Sequence, residues 1–417
     1  MQHATVLHGS ATLSRDASLR ARAQTVIPGG MWGHMNAAFL PEGYPQFYRE
    51  ARGVHLTDVD GRRFVDLMCA FGPMITGYGD PEVEEAARLQ ADRMRIANGP
   101  GDILVELAEF LVETIAGADW AMFAKNGTDA TTACVTIARA GTGRRKILVA
   151  KGAYHGSAPW CTPWPGGVIA EDRTHILHFT YNDVASLEAA VDEAGDDLAA
   201  IMVSSYKHDV KVDQALPTEA FATAARRLSA RSGAALILDD VRAGFRLNLA
   251  GSWAGFGVEP DLSAWSKSMG NGHAIAAITG ADGLREAAQK VYVTGSFWCE
   301  PTAMAASLAT LKKLHRGDPV AHMEALGQRL REGIARQADA AGVGVRQSGP
   351  VQMPLVLFDG DPDIKKGNLF AATALRHGAF FHPWHNMFLS AAHSEADIDA
   401  ALAATEPAFA AVAASGS

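Results

Sequence analysis

Between about residues 120 and 280, short aliphatic runs alternate with longer alanine-rich stretches, the pattern of βαβ units feeding a mainly parallel sheet. Strands are expected at 121–123 (AMF), 146–150 (KILVA), 199–203 (AAIMV), 234–238 (AALIL), 262–265 (LSAW) and 274–280 (AIAAITG), with helices over 127–141 and 218–233 between them. Two further helices precede the sheet within residues 81–118, where Pro81 and Asp102 stand as start signals. Beyond about residue 303 the texture changes to a helix over 302–317, another over 319–341, short strands around MPLVLF (353–358) and a last helix from Glu395. The prediction is an α/β chain with a large unit over 61–302 and a smaller α+β unit made from 1–60 together with 303–417.

Composition narrows the class. With 417 residues, 48% of them hydrophobic, the chain can bury a large core. A net charge of -9, with Lys and Arg scattered rather than striped, argues against a nucleic-acid surface. Cys69, Cys134, Cys161 and Cys299 form no CxxC pair, which points away from a disulfide framework or a zinc knuckle and toward a reducing cytoplasm. The opening residues hold no apolar signal core and no segment reaches eighteen apolar residues, so neither secretion nor a membrane span is expected. A short Ala/Ser/Gly tail follows Glu406.

Three features fall at strand ends, where open α/β sheets place ligands. In FAKNGTDATTA (123–133) an Asn126-Gly127 turn leads into a helix expected from Thr128; its N–H groups and hydroxyl suit a phosphate, although an ordinary capped turn reads the same way. In AALILDDVRAGFR (234–246) a buried strand delivers Asp239 and Asp240. Asp239 is the better ligand contact, and Asp240 is expected to cap or pair with Arg246. In DLSAWSKSMGNGHAIAAITG (261–280) Lys267 lies among small residues between apolar strands, where desolvation would free its amine as a nucleophile. A phosphate cradle, a carboxylate and a reactive lysine together are what pyridoxal 5'-phosphate requires.

The same residues resemble a known family. From VIPGGM through LTDVDGRRFVDL, NGTDA, GRRKILVAKGAYHG, DDVRAGFR, PDLSAWSKSMGNG and TGSFWCEPTAMAASLATL to FLSAAHSEADID, nearly the whole chain is similar to the class III aminotransferases of the fold type I pyridoxal-phosphate enzymes, on the glutamate-semialdehyde aminomutase branch. FAKNGTDAT, KGAYHGSAPW, TGSFW and HPWHNMFLSAAH further resemble the aminotransferases that deaminate hydrolysed fumonisin. The resemblance implies that Lys267 bonds the cofactor covalently, that Asp239 partners the pyridinium nitrogen and that Gly127 and Thr128 hold the phosphate. It also implies that Tyr154 stacks on one ring face, that His155 flanks the ring and that Val241 packs on the other face. Ser296 stands where the family has a threonine reaching the neighbouring subunit's phosphate, which implies a homodimer with shared sites.

Departures from the family pattern bear on the substrate. Asn126 replaces a serine, Asp240 a glutamate, and Ser204 and Ser205 a Glu-Pro pair, while Arg242 is an unexpected cation. In PGGMWGHMNAAF (28–39), Asn36 falls where the aminomutase branch has a carboxylate-clamping arginine, and an amide cannot replace a bidentate cation. The expected pocket comprises Trp32, His34, Asn36, Phe71, Trp298 and His385, and it prefers an uncharged, bulky group beside the amine. The expected reaction is ping-pong transfer from an amine or long-chain amino alcohol to a keto acid such as pyruvate. An aminomutase is the alternative, and a non-catalytic cofactor-binding regulator a more distant one. Arg242, Arg173 or a histidine of HPWHNM could meet the acceptor carboxylate. His382, His385 and His393 read as pocket lining or plain structure rather than a metal site, for want of an acidic or cysteine partner.

Overall fold

The computed structural model describes residues 14–415. Residues 1–13 of the expected smaller unit, including most of the opening segment read for a signal, therefore lie outside the described residues. Helix α1 (Arg15–Val26) starts at Ser14, whose hydroxyl accepts the Ala17 N–H. Strands β1 (Tyr48–Arg52), β2 (His55–Asp58) and β3 (Arg63–Asp66) then form an antiparallel meander. Helices α2 (Pro81–Arg93) and α3 (Ile103–Thr114) begin at Asp80 and Asp102; Pro81 occupies the first helical position, where its missing N–H costs nothing.

The central sheet is built next. It uses β4 (Trp120–Ala124), α4 (Gly127–Thr142), β5 (Lys146–Ala150), β6 (Ile176–Phe179), α5 (Val184–Ala194), β7 (Leu198–Ser204), α6 (Glu219–Ser232), β8 (Ala235–Asp239), β9 (Leu262–Trp265) and β10 (Ala276–Gly280). The strand order is β4-β10-β9-β8-β7-β5-β6. Neighbouring strands from β9 to β6 pair in parallel, whereas β10 is antiparallel to both β4 and β9. Every residue of β7 and β8 is buried, as expected where helices cover both faces, and each fully buried aliphatic side chain there contributes roughly 1.5–3 kcal/mol. Ala130, Ala133 and Ala138 on the buried face of α4 let that helix approach the sheet closely.

The rest of the chain supplies α7 (Arg285–Lys290), α8 (Pro301–His315), α9 (Pro319–Ala341), β11 (Val345–Ser348), β12 (Leu355–Phe358), α10 (Lys365–Arg376), β13 (Ala379–Phe380) and α11 (Glu395–Ala414). Strand β13 runs parallel to β3, so residues 48–66 and 379–380 share one four-stranded sheet. The fold is α/β with a mainly parallel central sheet, as the pattern predicts.

Particular elements differ. Edge strand β6 was not among the expected strands, because Ile176–Phe179 offers four residues with an exposed His178 among them. The strand expected at 234–238 sits one residue later, which makes Asp239 its last residue. The Ala/Ser/Gly tail is helical to Ala414 as the end of α11, with Ala408, Phe409 and Val412 buried. No helix among the described residues is long and apolar enough to cross a membrane.

Candidate active site

Strand ends β4, β8 and β9 open on one cavity of about 530 Å³, lined by Gly127, Thr128, Tyr154, His155, Asp239, Val241, Arg242 and Lys267 among others. Strands β8 and β9 are neighbours, whereas β10 runs the opposite way between β9 and β4. Helix α4 starts at Gly127 rather than Thr128, with Asn126 as its cap: Asn126 Oδ1 accepts the Asp129 N–H at 3.0 Å. Position 127 admits only glycine without a shift, because a Cβ there would lie 2.8 Å from Val241 Cγ1. Thr128 Oγ1 accepts the Ser157 N–H at 3.1 Å, and a Cβ on Gly156 would lie 2.5 Å from that same oxygen. Thr131 Oγ1 donates to His155 O at 2.7 Å. The helix N-terminus and the loop at 154–157 are thereby locked together into a cradle suited to an anion.

Asp239 is nearly buried, and both its oxygens are engaged: Oδ2 with His155 Nδ1 at 2.7 Å, and Oδ1 with the Val241 N–H at 3.2 Å. His155 does more than flank the cavity, because it orients this carboxylate. The Trp160 ring lies nearly parallel to His155 at 6.5 Å, and its Nε1 donates to Thr132 Oγ1 at 3.1 Å.

Lys267 follows β9 in a 3-10 turn and adopts φ +46°, a left-handed conformation uncommon outside glycine. Burial, reinforced by Arg242, pushes its amine down to about 7, while Asp239 works in the opposite direction. The buried Asp239 carboxylate, the cradle and this amine on one cavity fit pyridoxal 5'-phosphate at its ring nitrogen, its phosphate and its aldehyde carbon. Tyr154 and Val241 line the same cavity.

Asp240 does not pair with Arg246. Its Oδ1 accepts from Ser205 Oγ at 2.7 Å and its Oδ2 from the Ser252 N–H at 2.8 Å, while burial raises its carboxyl. Arg246 instead donates to Leu389 O, Gly72 O and Ser268 Oγ. Two of the departures from the family pattern, Ser205 and Asp240, are therefore in direct contact.

The expected substrate pocket is brought together only in part. Cys69, Ala70 and Phe71 are left-handed in succession, with φ of 47°, 54° and 64°, and this turn presents Phe71 to three imidazoles. Ring centroids lie 4.6 Å away for His34, 5.5 Å for His385 and 6.1 Å for His382. Burial pushes all three imidazoles down, His382 to about 3. Trp32 is 67% exposed, and Trp298 packs beside the cluster that contains Trp120 and Ala276. The Asn36 amide serves its own turn: Nδ2 donates to Met31 O at 2.8 Å and Oδ1 accepts from the Ala38 N–H at 2.9 Å. Ser296 lies exposed in the loop before α8. No group of three or more His, Cys, Asp or Glu residues suited to a metal ion occurs among the described residues.

Sequence reasoning missed His208, a buried residue that lines the cavity four positions past β7. Its place just beyond a strand end was the available signal.

Comparison with known proteins supports the same assignment. Residues 40–391 match the family described as aminotransferase class-III. The chain is 46% identical over 402 residues, 96% of its length and 94% of the relative's, to an aminopentol aminotransferase of Sphingopyxis macrogoltabida. It is 32% identical to a glutamate-1-semialdehyde 2,1-aminomutase of Heliobacterium modesticaldum, over 96% of this chain and 98% of that one. Among solved structures, the pyridoxal-phosphate internal-aldimine form of the FumI protein of Sphingopyxis sp. MTA144 superposes with a TM-score of 0.94 at 45% identity, covering 95% of this chain and 96% of that one. The chain belongs to the class III aminotransferase family, pyridoxal-phosphate enzymes of fold type I.

Proposed function

We propose that the enzyme transfers an amino group from an amine or long-chain amino alcohol, lacking a carboxylate beside the amine, to a keto acid such as pyruvate. The carrying observation is the donor wall. At position 36 an amide tied into its own turn stands in place of a cation, and Phe71 meets three imidazoles that burial keeps neutral, one of which, His385, touches the cavity-lining Arg242. Such a wall recognises shape and hydroxyl groups rather than negative charge. The likeness to an aminopentol aminotransferase agrees with this reading.

Pyridoxal phosphate, when bound, supplies an aldehyde that carries the amino group and a ring that accepts electrons. In this proposal Gly127 and Thr128 hold the phosphate, and Tyr154 and Val241 flank the ring. Asp239, oriented by His155, keeps a proton on the ring nitrogen. Lys267 Nζ holds the cofactor and moves the proton to and from the donor carbon, work suited to an amine that titrates near neutral pH.

A homodimer is part of the proposal. Ser296, Tyr292 and Phe297 lie exposed on one loop, the last two at 94% and 64%, as expected of a surface completed by a second copy. So is the division into units of 61–302 and of 1–60 with 303–417. A cytoplasmic location accords with four free thiols. The test is turnover of a long-chain amino alcohol with and without pyruvate. Dependence on pyruvate is expected, and product formed in the absence of any keto acid would turn the assignment toward an aminomutase.

A further inference from the structure

One pocket must accept both a neutral donor and an anionic acceptor, and the acceptor's carboxylate needs a partner. Arg242 reaches the cavity from the segment after β8 and is only 9% exposed. Its Nη1 donates to Asn386 Oδ1 at 2.6 Å and meets His385 Nε2 at 3.2 Å. The buried Tyr206 phenol also faces the guanidinium. All three partners are uncharged: an amide, an imidazole held neutral by burial, and a phenol pushed up to about 12.

A buried guanidinium without a counter-charge is costly. Some buried charges in this chain have ionic partners, Asp58 in Arg62 and Asp80 in Lys313, while the fully buried Arg246 is met only by neutral oxygens and does not line the cavity. Among the described residues Arg242 has no ion pair. Neither Arg173, which donates to Pro159 O and Thr162 O, nor Arg246, which donates to two carbonyls and a serine, lines the cavity.

We infer that Arg242 is the carboxylate-recognition residue for the keto-acid acceptor, held in place by Asn386 and His385. The inference rests on the transaminase reading. It explains how the pocket serves both half-reactions: a neutral donor gains nothing from the guanidinium charge, whereas a carboxylate brings a counter-charge into direct contact with it. Asn386 is a positioning residue in this scheme, with its own Nδ2 anchored on Met387 O at 2.8 Å.

The half-reactions of the loaded enzyme can be followed separately by the cofactor's absorbance. For Arg242→Gln, the pyruvate concentration at half-saturation should rise about 30-fold or more, and at least about tenfold more than the propionaldehyde concentration at half-saturation does. Arg242→Lys should recover part of the loss, because charge without the planar fork is a weaker match. Independently of turnover, calorimetry with propionate, which has the carboxylate but cannot react, should show binding to the parent enzyme that weakens comparably in Arg242→Gln, with propionamide indifferent to the change. Unchanged pyruvate saturation, or equal losses with pyruvate and propionaldehyde, would overturn the assignment while leaving the transaminase reading intact. A parent enzyme that turns over amines with no keto acid would overturn both.

Discussion

The cofactor cavity and the ring cluster proposed as the donor end are built by different means. Gly127, Asp239 and Lys267 stand at or just beyond the ends of strands in one sheet, and hydrogen bonds of 2.7–3.2 Å fix Asp239, Thr128 and the loop at 154–157. At the donor end, His34, Phe71 and His385 come from three distant turns and meet through ring edges. A hydrogen-bonded constellation on rigid elements has one working geometry, whereas ring contacts tolerate exchange. On the proposed function, chemistry belongs to the first region and substrate range to the second.

This contrast sets the order of expected effects. Lys267→Ala should abolish the visible band of covalently held cofactor and lower turnover by about 10³-fold or more; persistence of both would remove Lys267 from the chemistry. Asp239→Asn keeps the size but not the charge, and should lower kcat by roughly 10²-fold with the fold intact by circular dichroism. Gly127→Ala drives a methyl against Val241 and should weaken cofactor retention in dialysis by about tenfold.

The pH dependence couples the two regions. An amine attacks an aldehyde only when neutral, so cofactor uptake by the apoprotein should accelerate as pH rises through about 7 and level off above it. Because Arg242 lowers the Lys267 amine, Arg242→Gln should move that midpoint upward. The sign for stability is the same. Between about 7 and the ordinary lysine value of 10.5 the unfolded chain binds the extra proton, so apoprotein stability rises with pH across that window. The smallest effect is expected at the donor end. Phe71→Ala should shift the kcat/KM ratio of bulky to small donors by no more than about tenfold, without touching the cofactor spectrum.

How much of this the sequence disclosed follows the same division. Apolar runs ending in Asp239 and Lys267 were readable because burial of a strand forces its composition, and the ligand-bearing ends follow from it. Strand β1 was not readable, since Tyr48–Arg52 is exposed throughout and carries no alternation. Nor was the reversed direction of β10, whose residues are as apolar as those of its parallel neighbours. The expected Asp240–Arg246 pair failed because proximity in sequence said nothing of Ser205, which arrives from β7. Arg242 was visible as an oddity, but its anchor on Asn386 lies 144 positions away.

The left-handed run at Cys69, Ala70 and Phe71 bears on how the donor range can evolve. Each non-glycine residue in that conformation costs about 1–2 kcal/mol, and β-branched residues fit it worst. A randomised library at position 71 should therefore return asparagine, glycine and flexible or aromatic side chains far more often than valine or isoleucine, however well the latter would suit a smaller donor. Glycine at position 70 should widen that alphabet by relieving the neighbouring backbone, a permissive first step toward new substrates.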